Sequence, residues 1–151
     1  MAKLVSACDL PSDSRLHRRV AAGDFLDCYA VVSEHTARRA AEIATSFPRW
    51  ASALLALRNI LLAPFGLKGK APKDGNMIGI FPVTSESPDE LIMGVDDAHL
   101  DFRIAVMQHN GHVYLATWVH RNTFFDRLYL TTIMPFHILI VRDALRRVAR
   151  S

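Results

Sequence analysis

Apolar residues recur at three- and four-residue steps through residues 125–150. Tyr129, Ile133, Phe136, Ile140 and Ala144 form one row; Leu130, Met134, Val141, Leu145 and Val148 form the row beside it. Such a stripe predicts one long helix with a broad face turned to a core. Thr131, Arg142, Arg146 and Arg150 fall on the other side. Thr123 with Asp126 three residues on is a start signal, and the closing arginines suit the negative helix end. Pro135 removes a hydrogen bond mid-helix and predicts a kink. His137 lies among Leu130, Met134, Val141 and Ala144, so it points inward. It is either a core histidine bonded to backbone or a polar contact inside a pocket. About twenty-five residues at ~1.5 Å each span a whole domain, so the remaining elements are expected to wrap this helix.

Residues 1–23 show no period and read as an irregular N-terminal arm carrying Arg15, Arg18 and Arg19. Residues 24–32 hold aromatic and β-branched side chains and read as a strand. Ser33 or Thr36 then caps a helix running to Ser46, with Ala37, Ala40, Ala41 and Ala44 on one close-packing face. Pro48 opens a second helix to about Ala63, with Trp50, Leu54, Leu57 and Leu61 on one stripe. Arg58 sits in that helix among leucines, so it snorkels to solvent, meets a carboxylate, or anchors a ligand. Residues 64–76 are a Gly/Pro-broken loop with Lys68, Lys70 and Lys73, a linker or a lid; its spacing matches no phosphate loop.

Residues 77–83 and 90–95 read as short strands. Residues 99–109 and 112–121 flank Asn110-Gly111, a strong two-residue turn signal. A tight turn there pairs residues whose numbers add to 221, setting Arg103 opposite Trp118 and Asp101 opposite His120. One hairpin face carries Leu100, Phe102, Ile104, Val106, Leu115, Thr117 and Val119. The other carries His99, Asp101, Arg103, Met107, Tyr114, Trp118 and His120. The pattern leaves open which face looks inward. The chain shows no repeat and no low-complexity segment.

Composition narrows the class. The 151 residues suit a single domain, 1–151, with a core from 24 to 150 behind the arm. Half are hydrophobic, which argues against disorder. The net charge of +3 gives little reason to expect nucleic acid, and no nucleic-acid module stands out. Cys8 and Cys28 are too few for a disulfide scaffold and read as free thiols in a reducing, cytoplasmic setting. Residues 5–8 resemble a lipoprotein cleavage box but lack an apolar run before it. The apolar run 51–65 contains Arg58 and is too short to span a bilayer.

The polar hairpin face carries the candidate chemistry. A carboxylate at Asp101 would orient the His120 imidazole and favour its charged form, making an acid–base pair. Arg103 against Trp118 offers cation–π contact and a guanidinium for a ligand carboxylate. The alternative is a solvated sheet face with ordinary cross-strand pairs, although Trp118, Tyr114 and Met107 are unusually apolar for one. His99, Asp101 and His120 supply the ligand types of a non-haem iron site, but no further ligand is defined, and neither metal nor cofactor is expected. Neither cysteine lies in an electropositive niche, and no nucleophile elbow exists.

The strings PRWASALLALRNILLAPFGLK, IGIFPV, GVDDAHLDFRIAV and RLYLTTIMPFH resemble a bacterial group catalogued as domain-of-unknown-function family 2867, over about residues 24–147. The order of elements resembles the helix-grip, START-like (SRPBCC) fold. That resemblance implies an α+β fold in which an antiparallel sheet wraps a long C-terminal helix, here with two helices after the first strand. It also implies an internal cavity for hydrophobic small molecules, sometimes with catalysis. About five strands are legible, where the fold has seven.

Three functional readings follow. The first is a binding domain for a small hydrophobic or amphipathic molecule. Met134, His137 and Val141 would line its pocket; Arg58 or Arg103, with Trp118, would hold a polar end. The second is a cyclase-, hydrolase- or isomerase-type enzyme using Asp101 and His120. The third is a structural or interaction protein whose apolar sheet face or final helix makes a homodimer, with Ile138 and Leu139 on the outer side of that helix suited to such a surface.

Overall fold

A computed structural model describes residues 4–46, 49, 76–78, 81–96, 100–121 and 124–151. The expected helix at 48–63, Arg58 within it, the lysine loop and His99 lie outside the described residues.

The hairpin is the backbone of the sheet. Strands β6 (Leu100–His109) and β7 (His112–Arg121) pair from Leu100↔Arg121 to His109↔His112, the register the tight turn demands. Asn110 and Gly111 both take positive φ, 50° and 76°, which matches the turn to the right-handed twist of the strands. Around this pair the chain lays β2 (Phe25–Val32) on one side and β5 (Glu90–Asp96) on the other. Among the described residues the full antiparallel order is β1 (Ser6–Ala7), β2, β7, β6, β5, β4 (Phe81–Glu86), β3 (Met77–Ile78).

Among the described residues, seven strands replace the five legible in sequence for two reasons. β1 (Ser6–Ala7) comes from the arm and pairs with Ala30 and Tyr29. The stretch read as one strand from Met77 divides into β3 (Met77–Ile78) and β4 (Phe81–Glu86), which pair with each other. Two-residue strands are too short to carry a period. β5 and β6 approach closely at Gly94: a Cβ there would lie 2.2 Å from the Phe102 carbonyl oxygen, and φ is +151°. Only glycine fits both conditions.

Helix α1 (Ala37–Ala44) starts at Thr36, whose hydroxyl accepts from the Arg39 amide at 3.2 Å, and buries Ala37, Ala40, Ala41, Ile43 and Ala44. Helix α2 (Phe124–Arg150) runs through Pro135 and packs on α1, β2 and β7. Its last turns make the tightest contact. Val141, Ala144, Leu145 and Val148 are buried against the α1 alanines and against Tyr29, Val31, Leu91, Met93, Val106, Val113 and Leu115. Arg147 pins the two helices together by donating to the Ile43 and Ala44 carbonyls at the end of α1, at 3.1 and 3.3 Å. Both carbonyls lie in the last turn of α1, where a helix has no following amides of its own to donate; the Ile43 carbonyl also accepts from the Ser46 amide and hydroxyl. Earlier along α2 the stripe is looser than its periodicity suggests. Phe136, expected in the core row, is 48% exposed, and Leu128 and Leu139 are exposed with it.

The opposite sheet face is not open to water. Cys28, Ile92, Ala105, Ala116 and Trp118 are buried under Leu10 and Leu16 of the arm. A short 3-10 helix (Arg15–Arg18) follows Ser14, whose hydroxyl accepts from the Leu16 amide. Glu90, only 2% exposed, fastens this segment: its carboxylate accepts from the Ser14 hydroxyl and, at 2.9 Å, from the Arg15 amide. The stretch read as an irregular lead-in is therefore a second layer of the fold.

Candidate functional site

Strand alternation places Asp27, Tyr29 and Val31 on the helix-facing side of β2 and Leu26 and Cys28 on the arm-covered side. Two aspartates of the same segment thereby reach two different histidines on opposite sides of the sheet.

On the helix side, His137 of α2 donates from Nε2 to Asp27 Oδ2 at 2.9 Å, since a carboxylate only accepts. Both side chains are largely buried, 20% and 17% exposed. Phe25 meets the imidazole edge-on, with centroids 6.2 Å apart. Asp27 Oδ1 is buried and has no hydrogen-bond partner among the described residues. Half-buried Met134 and buried Val141 share this helical face with His137. His137 thus bonds a side-chain carboxylate across to the sheet, not backbone. Asp27 was missed by sequence reasoning. Its signal was a lone acid inside the apolar strand FLDCYAVV.

On the arm side, Asp24 organises the polar hairpin face. Its carboxylate, 3% exposed, accepts from His120 Nδ1 at 2.6 Å, Trp118 Nε1 at 2.9 Å and the Ala21 amide at 2.8 Å. Burial pushes the Asp24 carboxyl up, but the His120, Ala21 and Trp118 hydrogen bonds and the His120 charge outweigh it and hold the group below its ordinary range. Asp101 does stand opposite His120 in the ladder, yet the imidazole turns its Nδ1 to Asp24. It also stacks on Trp118, 6.4 Å between centroids. The Arg19 guanidinium lies 5.8 Å from the centre of the Trp118 ring, a partner the sequence did not suggest. Arg103, across the ladder from Trp118, is 4% exposed and donates to the Phe102 carbonyl at 2.8 Å.

The residues read as one binding set are therefore divided by the sheet. Met134, His137 and Val141 lie on the helix side. Trp118 is buried beneath the arm on the other side, and Arg103 follows it on the alternating face of the hairpin. Two grooves open along the arm. One, about 250 Å³, has Asp13, Arg15, Asp89 and His109 in its walls. The other, about 260 Å³, is lined by arm arginines and by β4 and β5. Among the described residues no three His, Cys, Asp or Glu side chains gather as metal ligands, and no helix is long and apolar enough to cross a membrane.

A seven-stranded antiparallel sheet backed by a long C-terminal helix defines an α+β protein consistent with the helix-grip class. Residues 19–144 match the model of the family described as protein of unknown function (DUF2867), and the chain belongs to that family. No curated protein and no solved structure matches the chain.

Proposed function

We propose that the chain is a bacterial, cytoplasmic START-like domain. In this reading it binds a small hydrophobic or amphipathic molecule between the helix-facing side of the sheet and the middle of α2. Asp27 and His137 hold the polar end, while Met134 and Val141 contact the apolar body. The observation that carries the reading is the buried Asp27 Oδ1, without a hydrogen-bond partner among the described residues, beside His137. Binding sites have this make-up: few polar groups in an apolar lining. An acceptor left empty in the fold costs free energy that a donor on a ligand recovers. Met134 and His137 are only partly buried, whereas Ala144, Leu145 and Val148 are fully packed, which supports a ligand beside the former pair. Arg58 is a further candidate from outside the described residues. Trp118 belongs to the other face and Arg103 to the arm-side alternation, so neither enters this site.

The test is native mass spectrometry of freshly purified protein, followed by denaturing extraction. An adduct of a few hundred daltons that disappears in D27A and H137A supports the reading. An adduct that persists in both variants, or a bare chain that also fails to take up a fluorescent long-chain alcohol, whose hydroxyl can donate to Asp27, overturns it.

A second reading, acid–base catalysis, is favoured by the 2.6 Å contact between buried Asp24 and half-exposed His120. An oriented imidazole of this kind suits a general base, with Asp24 in the role first given to Asp101. It is the weaker reading, because His120 lines neither groove. The homodimer reading keeps one support, the exposed Leu139, and light scattering decides it.

A further inference from the structure

We propose that the groove between the arm and strands β4–β5 is a binding site for a small phosphate ester, separate from the helix-side site. Arg15, Arg18, Arg19, Thr84, Ser85 and Ile92 line it, around a volume of about 260 Å³.

The arm brings three guanidinium-bearing residues to one wall within five positions, and their charges are not equivalent. Arg15 is anchored: its Nε stands 3.4 Å from Glu90 Oε1 and its Nη2 donates to the Glu90 carbonyl at 3.2 Å. Buried Glu90 matches that charge and fixes the wall. Arg18 and Arg19 are exposed, and among the described residues neither has a carboxylate within ion-pair distance. Two positive charges without a carboxylate partner, Arg18 and, beside the Trp118 ring, Arg19, therefore line the groove, the number that a phosphate monoester carries in opposite sign near neutral pH.

The far wall adds neutral donors. Ladder pairing slips between Val83 and Ser85, so Thr84 is an extra residue in β4, a bulge. Bulges re-aim side chains and recur beside binding sites. The Thr84 hydroxyl is occupied by the Ile92 carbonyl at 3.2 Å. The Ser85 hydroxyl has no hydrogen-bond partner among the described residues. An Arg18 fork, an Arg19 fork and the Ser85 hydroxyl together offer the donor set a tetrahedral oxyanion takes. Ile92 supplies an apolar floor for the rest of the ester. The neighbouring groove, with Asp13 and Asp89, is acidic, so an anion is confined to this side of Arg15.

Isothermal titration at low ionic strength tests the site, with phenyl phosphate, inorganic phosphate and benzoate as probes. Phenyl phosphate is expected to bind saturably and to weaken with added salt. The double variant R18Q/R19Q should weaken it at least about tenfold, and R18K/R19K, which keeps charge but loses the forks, should fall between. R146Q removes an exposed arginine of α2 elsewhere on the surface and should leave binding unchanged. Equal affinity for inorganic and phenyl phosphate supports the site with free phosphate as its ligand; a preference for phenyl phosphate supports an ester. The proposal is overturned by no saturable binding up to about 10 mM, by benzoate binding as well as phosphate, or by equal losses in R146Q and R18Q/R19Q. Circular dichroism confirms folding, and if R18Q/R19Q unfolds, the lysine variant decides. Adduct loss in D27A has no bearing on this outcome, so the two sites fail independently.

Discussion

If Asp27 and His137 are held for a ligand, the empty protein carries them at a cost, and removing both should stabilise it. Two opposing contributions decide the sign. The buried Oδ1 without a partner costs about 1–3 kcal/mol. The Nε2–Oδ2 contact returns part of this, but replacing a largely buried ionisable pair by apolar residues of similar volume is often neutral or stabilising by about 1–4 kcal/mol. Position 27 also lies mid-strand, opposite Thr117, where a β-branched residue is favoured. D27V/H137L is therefore expected to gain about 1–2 kcal/mol, a rise of about 2–8 °C in Tm for a chain of this size. The single variant H137L should behave oppositely. It strips Asp27 of its partner and leaves a buried carboxylate alone, a loss of about 3 kcal/mol. Urea unfolding followed by circular dichroism measures all three proteins, and m should not change. A double variant at least 1 kcal/mol less stable than the parent would show that the pair is a structural clasp, and the argument for a ligand anchor would fail.

Three further outcomes are expected. Because Asp24 titrates below its ordinary value of 3.8, its stabilising hydrogen bonds are fully present above that value and lost as pH falls through the lower folded value. Trp118 fluorescence, with W118F as the blank, should show a transition below about pH 4; a signal unchanged between about pH 4 and about pH 2 would contradict this. Gly94→Ala should cost about 3 kcal/mol or more, from the 2.2 Å approach to Phe102 and the strained φ, and a melting point within a degree of the parent would refute the close-approach argument. Burial, more than the neighbouring sulfur, raises the Cys28 thiol well above its ordinary value, and burial raises Cys8 as well; the two sulfurs are 3.8 Å apart. At neutral pH a thiol reagent should modify Cys8 slowly and Cys28 only on unfolding, and labelling of both at the rate of free cysteine would overturn this assignment.

Local signals carried much of the fold. Asn110-Gly111 and the two-residue period of its flanks specify the hairpin register by themselves, because turn geometry and side-chain alternation leave one tight pairing. Asp101 opposite His120 and Arg103 opposite Trp118 were legible for that reason. The 3.6-residue period specified the final helix, and the alanine spacing specified α1. The apolar residues Met107, Tyr114 and Trp118 on the nominally wet face hinted that something covers it. Nothing local named the cover, since the arm has no period and its anchor, Glu90, lies 75 residues beyond Arg15.

Tertiary structure decided the partners. His120 bonds Asp24 and not Asp101, because the register of β2 against β7 brings the start of β2 alongside Trp118, with Leu26 opposite it. His137 bonds Asp27 because α2 crosses that strand. One candidate binding set was split because alternation assigns residues to faces, while only packing decides what each face meets. Periodicity is a property of a few consecutive residues; a hydrogen bond between positions 110 apart is a property of the folded chain alone.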